Sequence, residues 1–112
     1  MNIVVLRGSL PRNPERRELS SGGDILQFDL VTELESGSNT TVPVSWFDAP
    51  EEPALTEGVE VVVVGSVRRR FFRAGGSTQS RTEVVADAVT PASQRRTVAK
   101  RLAAAAERIS GA

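Results

Sequence analysis

The sequence predicts an all-β fold, five strands closed into a small barrel, followed by a C-terminal α-helix. Three observations predict it. Short runs of Val, Ile, Leu and Phe recur along residues 1–91, separated by turns rich in Gly, Pro, Ser and Asn. Leu26, Phe28 and Leu30 alternate with Gln27, Asp29 and Val31, which is the period of a strand with one buried face. Residues 92–112 lose that pattern and place Val98, Leu102, Ala105 or Ala106, and Ile109 at helical spacing. A chain of 112 residues is the size of one domain with one core, and so small a domain favours a barrel over a sandwich.

Each element has local support. Asn2 to Leu10 reads as the first strand, ended by Pro11, Asn13 and Pro14. Glu15 to Leu19 returns to extended structure before the turn Ser20-Ser21-Gly22-Gly23-Asp24. The strand Ile25 to Glu33 and its return strand, Thr40 to Phe47, flank a hairpin turn at Ser36 to Asn39. Pro43 donates no backbone hydrogen bond, so it marks an edge or a bulge. Asp48 to Glu57 is an acidic connection, with one helical turn expected near Ala54-Leu55. Val59 to Val64 is apolar at nearly every position, the mark of a strand buried on both faces. Gly65 is a candidate bulge, Val67 to Arg73 continues the strand, and Ala74-Gly75-Gly76-Ser77 is a flexible loop tip. Arg81 to Val89 is the last strand, closed by Pro91. The helix runs from Ala92 to Ile109, with Ser93 as N-cap and Gly111 just past its end. The division expected is a β domain over 1–91 and a basic amphipathic helix over 92–112. An OB-fold is the commonest five-stranded barrel, and periodicity leaves an SH3-like barrel open.

Composition narrows the chemistry. No cysteine and no histidine are present, which removes disulfides, thiolate metal sites and the commonest general base. Asp29, Glu33 and Asp48 are dispersed, without acid–base or metal spacing. The expectation is a protein that is not an enzyme, with no cofactor and no metal. The N-terminal apolar run is too short for a signal peptide, and Val59 to Val64 is too short to span a bilayer, so a cytoplasmic location is expected. Net charge is zero, but residues 92–112 hold five basic residues and one acidic, and 1–91 hold nine basic and thirteen acidic. Within 1–91, Arg7, Arg12, Arg16 and Arg17 form one basic group, and Arg68, Arg69, Arg70 and Arg73 another. Thirteen of the fourteen basic residues are arginine, which suits bidentate phosphate contacts and stacking on bases.

The most informative stretch is Gly65-Ser66-Val67-Arg68-Arg69-Arg70-Phe71-Phe72-Arg73. Alternation along a strand puts Arg68, Arg70 and Phe72 on one face and Val67, Arg69 and Phe71 on the other. Two guanidinium groups and a ring in a row match what an unpaired nucleic-acid strand needs, cations for phosphates and a flat surface for a base. The bland alternative is core phenylalanines beside a solvated arginine face. Trp46, the only tryptophan, is either a core anchor or a stacking residue, and alternation sends Trp46 and Phe47 to opposite faces. The expected nucleic-acid contacts are Arg7, Arg17, Trp46, Arg68, Arg70, Phe72 and Arg73.

The ordered series of motifs resembles the bacterial single-stranded DNA-binding protein family. It begins with Asn2, Val4, Val5, Leu6, Gly8 and Leu10, and continues through Pro14, Glu15, Arg16, Arg17, Ser21, Gly22, Phe28, Leu30 and Thr32. Gly58, Val61, Val63, Gly65, Val67, Arg68, Arg70 and Phe72 follow the family's Gly-x-x-Val-x-Val-x-Gly-x-Leu-Arg-x-Arg-x-Trp segment, and Thr82 to Asp87 its Thr-Glu-x-x-Ala-Asp strand. The resemblance covers roughly residues 1–89. It implies an OB-fold, single-stranded DNA as partner, a homo-oligomer (dimer or tetramer), and contacts from Arg17, Arg68, Arg70 and Phe72, with Phe72 where the family carries Trp. It also implies a role in DNA replication, repair or recombination. The hairpin at Glu35 to Asn39 is shorter than the family's and lacks its aromatic, Thr41 stands where the family often has Trp, and a basic helix replaces the Gly/Pro/Gln-rich tail and acidic tip. A divergent paralogue is therefore expected, with reduced DNA affinity and without recruitment of partners by that tip. The alternative is an OB-fold interaction module, primosomal-type or partner-docking, with weak or lost DNA binding and a protein partner at the C-terminal helix. That helix stripe is expected to pack on its own barrel.

Overall fold

The computed structural model describes residues 1–51 and 53–111. Glu52, inside the expected connection, and Ala112, the last residue of the expected C-terminal segment, lie outside the described residues. Among the described residues six strands form, β1 (Val4–Ser9), β2 (Glu15–Glu18), β3 (Asp24–Glu33), β4 (Asn39–Phe47), β5 (Glu60–Ala74) and β6 (Ser77–Pro91), and then the helix α1 (Arg95–Ser110). The expected count of five is corrected to six, because Glu15 to Glu18 pairs in full with Asp24 to Gln27 of β3 across the Ser20–Gly23 turn. The sheet runs β1-β5-β6-β4-β3-β2, and a further pairing of Ser9 with Val31 joins β1 to β3 and closes it into a ring. The molecule is thus mostly β with one C-terminal helix.

The inside of the ring is built by alternation. Leu26, Phe28 and Leu30 of β3, Val44 of β4, Val61 and Val63 of β5, and Val84, Ala86 and Val89 of β6 form one buried cluster. Val62 and Val64 project to the other side of β5 and are also buried. There α1 packs on β5 and β6, with Ala105 as its buried residue, so the both-faces expectation for this run is met. Pro43 sits in β4 opposite Asp29, just before β4 meets β6 at Val44–Val84, where it has no neighbour on that side to miss its N–H.

β5 is one continuous 15-residue strand whose register slips between Val64 and Gly65. Val64 pairs with Ala88 and Gly65 with Ala86, so the extra residue is Asp87 on β6. Gly65 is needed at that point, because a Cβ there would lie 2.1 Å from the Val85 carbonyl oxygen. The expected flexible tip is instead a tight two-residue turn. Gly75 and Gly76 both take positive φ, 59° and 81°, as a type I′ hairpin requires, and Ala74 pairs directly with Ser77. The last strand therefore starts at Ser77 rather than Arg81.

Two local expectations fail for backbone reasons. No helical turn forms at Ala54-Leu55, where Pro50 and Pro53 remove backbone donors, although Leu55 is buried. Ser93 is not the N-cap. A turn closed by Gln94 N–H to the Pro91 carbonyl at 3.0 Å delays the helix, and Gln94 stands at the cap without a side-chain bond. The C-terminal stop is as expected, with Gly111 left-handed.

Candidate nucleic-acid interface

Beyond the register slip, β5 and β6 project together as a hairpin exposed on both faces from Arg68 and Thr82 to the tip. On the face turned away from the ring interior, Arg68 pairs across with Glu83, Arg70 with Arg81, and Phe72 with Gln79. The expected row of two guanidinium groups and a ring is present, and Phe72 is 39% exposed. The Arg70 guanidinium carbon lies 5.9 Å from the centre of the Phe72 ring, and that of Arg68 lies 5.4 Å from the centre of the Phe47 ring.

β4 supplies the second aromatic. Trp46 is half-buried and packs against the core cluster, so its ring serves the interior. Phe47, one residue on, faces outward beneath Arg68 and is the aromatic that β4 gives to this face. Across the sheet, Phe47 pairs with Ile25 and Ile25 with Arg17, which aligns Arg17 with Phe47 two strands away. Further along β3 and β4 from that row, a groove is lined by Arg12, Gln27, Asp29, Ser45, Arg81 and Glu83.

At the centre sits Glu83, a carboxylate only 3% exposed. Its Oε2 accepts the Ser45 hydroxyl at 2.8 Å, and its Oε1 accepts Arg68 Nη2 at 2.9 Å with Arg70 Nε at 3.9 Å. Burial alone would raise its pKa. The hydrogen bonds from Arg68 and Ser45 and the charges of Arg68 and Arg70 outweigh that, and hold the carboxyl below the usual range. One anion thus faces two cations, and Arg81 adds a third opposite Arg70 with no carboxylate partner among the described residues.

The remaining expected contacts lie elsewhere. Arg7 is on β1, paired with Val62 and salt-bridged to Glu60. Arg68 is six residues further along β5, roughly 20 Å at the strand rise, so Arg7 stays out of the cluster. Arg73 lies on the opposite face of the hairpin with Arg69 and Phe71, and donates to the Gly76 carbonyl at 3.2 Å. Arg12, in the same basic group as Arg7, is bonded to Asp29 at 2.7 Å.

Sequence reasoning left Arg81, Glu83, Ser45 and the outward Phe47 off the contact set. A readable signal existed for the first two. With Gly75-Gly76 taken as a two-residue turn, counting outward along both strands pairs Arg70 with Arg81 and Arg68 with Glu83. Among the described residues, no three acidic side chains gather where they could hold a metal ion, and no helix is long and apolar enough to cross a membrane. In comparisons with known proteins, the chain matches no protein-family model and no curated protein.

Proposed function

We propose that this protein is a non-enzymatic, cytoplasmic binder of single-stranded DNA, acting in replication, repair or recombination, and that its closed ring is an OB-type barrel. The observation that carries the reading is the outward face of β4, β5 and β6, where Phe47 and Phe72 each lie beside a guanidinium group and Arg81 and Arg17 flank them. Planar rings accept bases of any sequence, and the arginines follow the backbone charge. Serial motif resemblance to the bacterial single-stranded DNA-binding family supports the same assignment. With about four phosphates neutralised by Arg17, Arg68, Arg70 and Arg81, log K for labelled oligo-dT should fall against log salt with a slope of roughly −2 to −3. Competition by duplex DNA should be much weaker than by unlabelled oligo-dT. No binding at low salt, or equal competition by duplex, overturns the reading.

A second reading rests on α1. Its stripe is used only in part. Val98 is half-buried and Ala105 buried, but Leu102 is 40% and Ile109 61% exposed. These two side chains support a role for the helix in subunit or partner docking. Leu102→Glu with Ile109→Glu, followed by sizing, tests it. Dissociation of an oligomer supports docking, and an unchanged elution volume removes self-association through this edge.

A further inference from the structure

The proposed ligand face carries its own anion. Glu83 is buried, its far oxygen is pinned by Ser45, and its near oxygen takes the Arg68 hydrogen bond at 2.9 Å with Arg70 within 3.9 Å. The same Arg68 lies over Phe47. A guanidinium group in that position covers the ring face on which a base would stack, and its Nη2 is engaged by a carboxylate where a phosphate would sit. A buried acid is not needed here to hold the hairpin in register, since the ladder from Gly65–Ala86 to Ala74–Ser77 does that through the backbone.

We infer that Glu83 is an intramolecular competitor of the nucleic-acid phosphate: it holds Arg68 across Phe47, and binding proceeds by exchange of the Glu83 carboxylate for a backbone phosphate at Arg68, which uncovers the ring. The inference rests on the nucleic-acid reading above. No bond is made or broken beyond hydrogen bonds, and Ser45 keeps Glu83 in place when Arg68 leaves. The consequence is unusual for a residue inside a binding face, because its neutralisation strengthens binding.

The test is oligo-dT titration of Glu83→Gln, a near-isosteric change that keeps the bond with Ser45. Affinity at low salt should rise about fivefold, the equivalent of roughly 1 kcal/mol for one partly exposed charge-assisted contact. The salt slope should stay near the wild-type value, because Arg68 meets a phosphate in both complexes. The gain should vanish in Glu83→Gln with Arg68→Gln, and Glu18→Gln, an exposed acid on β2, should give none. Unchanged or weaker binding by a folded Glu83→Gln overturns the inference while leaving the reading of function intact. A gain that survives removal of Arg68 also overturns it, since it would then be bulk electrostatics. Absence of binding by both wild type and Glu83→Gln overturns the reading of function itself, and the inference with it. Should Glu83→Gln not fold, the wild-type protein serves. The Arg68 side-chain nitrogen resonances must shift on saturation with oligo-dT, and if they stay fixed in the saturated complex the exchange does not occur.

Discussion

β5 and β6 contain two regions that share partners and strand type yet live in opposite environments. From Val61 to Val64 the strand is buried on both sides, by the ring interior on one and α1 on the other. From Arg68 to Arg73 the same strand is exposed on both sides and carries four arginines and two phenylalanines. The boundary is the slip at Gly65, with Asp87 as the additional residue. A strand pair long enough to form the ring and then leave it gives a continuously paired two-stranded arm. Its position is fixed by hydrophobic burial at one end, so its far end is free to carry charge. Side chains that would destabilise a core are tolerated there because nothing covers them.

The sharpest way to break this division is at its boundary. Gly65→Ala places a methyl 2.1 Å from the Val85 carbonyl oxygen, against backbone that no side-chain rotation can clear. We expect a loss of at least about 3 kcal/mol, because the slip itself must move. Urea unfolding measures it. A loss under about 1 kcal/mol would show that the register slip relaxes and is not what joins the two regions.

The next effect in size lies in the exposed region and in function. Phe72→Ala should cost about 1–3 kcal/mol of oligo-dT binding, the range for one stacked base, and no more than about 1 kcal/mol of stability, because the residue is only partly covered, at 39% exposure. Equal affinity for wild type and variant removes Phe72 from the interface. A larger loss of stability alongside would return the ring to a structural role.

The buried region was legible in the sequence, since unbroken Val59 to Val64 and the alternation of Leu26, Phe28 and Leu30 carry burial directly in residue type. The hairpin face was legible as a face, because Arg68, Arg70 and Phe72 follow from alternation alone. Pairing was not. Reading Ala74 to Ser77 as a loose loop left the register of β6 open, and with it the Arg68–Glu83 and Arg70–Arg81 pairs. Trp46 shows another limit. Alternation says that Trp46 and Phe47 diverge, but which one points inward depends on the phase of β4 against β3, set by Val44 opposite Phe28 and Leu26 opposite Trp46. The Arg7 group looked continuous along the chain, but β1 and β2 are separate strands, and only Arg17 shares a row with Phe47.

Glu83 ties Arg68 and Arg70 of the exposed region to Ser45 of β4, and acid titration isolates the share of its charge. Its carboxyl is held below the unfolded value of about 4.5, so it stabilises the folded state fully above that pH. The contribution declines as pH falls through the lowered folded pKa and is absent below it. Glu83→Gln should therefore lower the urea midpoint at pH 7 and much less so at pH 3. An equal difference at both values would mean that packing, not charge, is what the substitution disturbs.

The smallest effect makes the sharpest contrast. Phe71 and Val63 project from β5 on the same side, eight residues apart, and only the valine is enclosed, at 0% exposure against 66%. Val63→Ala removes two methyl groups from a sealed core and should cost about 2–3 kcal/mol. Phe71→Ser removes a far larger apolar side chain yet should change stability by no more than about 0.5 kcal/mol, because a ring already in water has little transfer energy to lose. Thermal unfolding of the pair decides it. A loss near 2 kcal/mol for Phe71→Ser would require a partner surface that covers the ring in solution, and the arm would then be enclosed along its whole length rather than at its base alone.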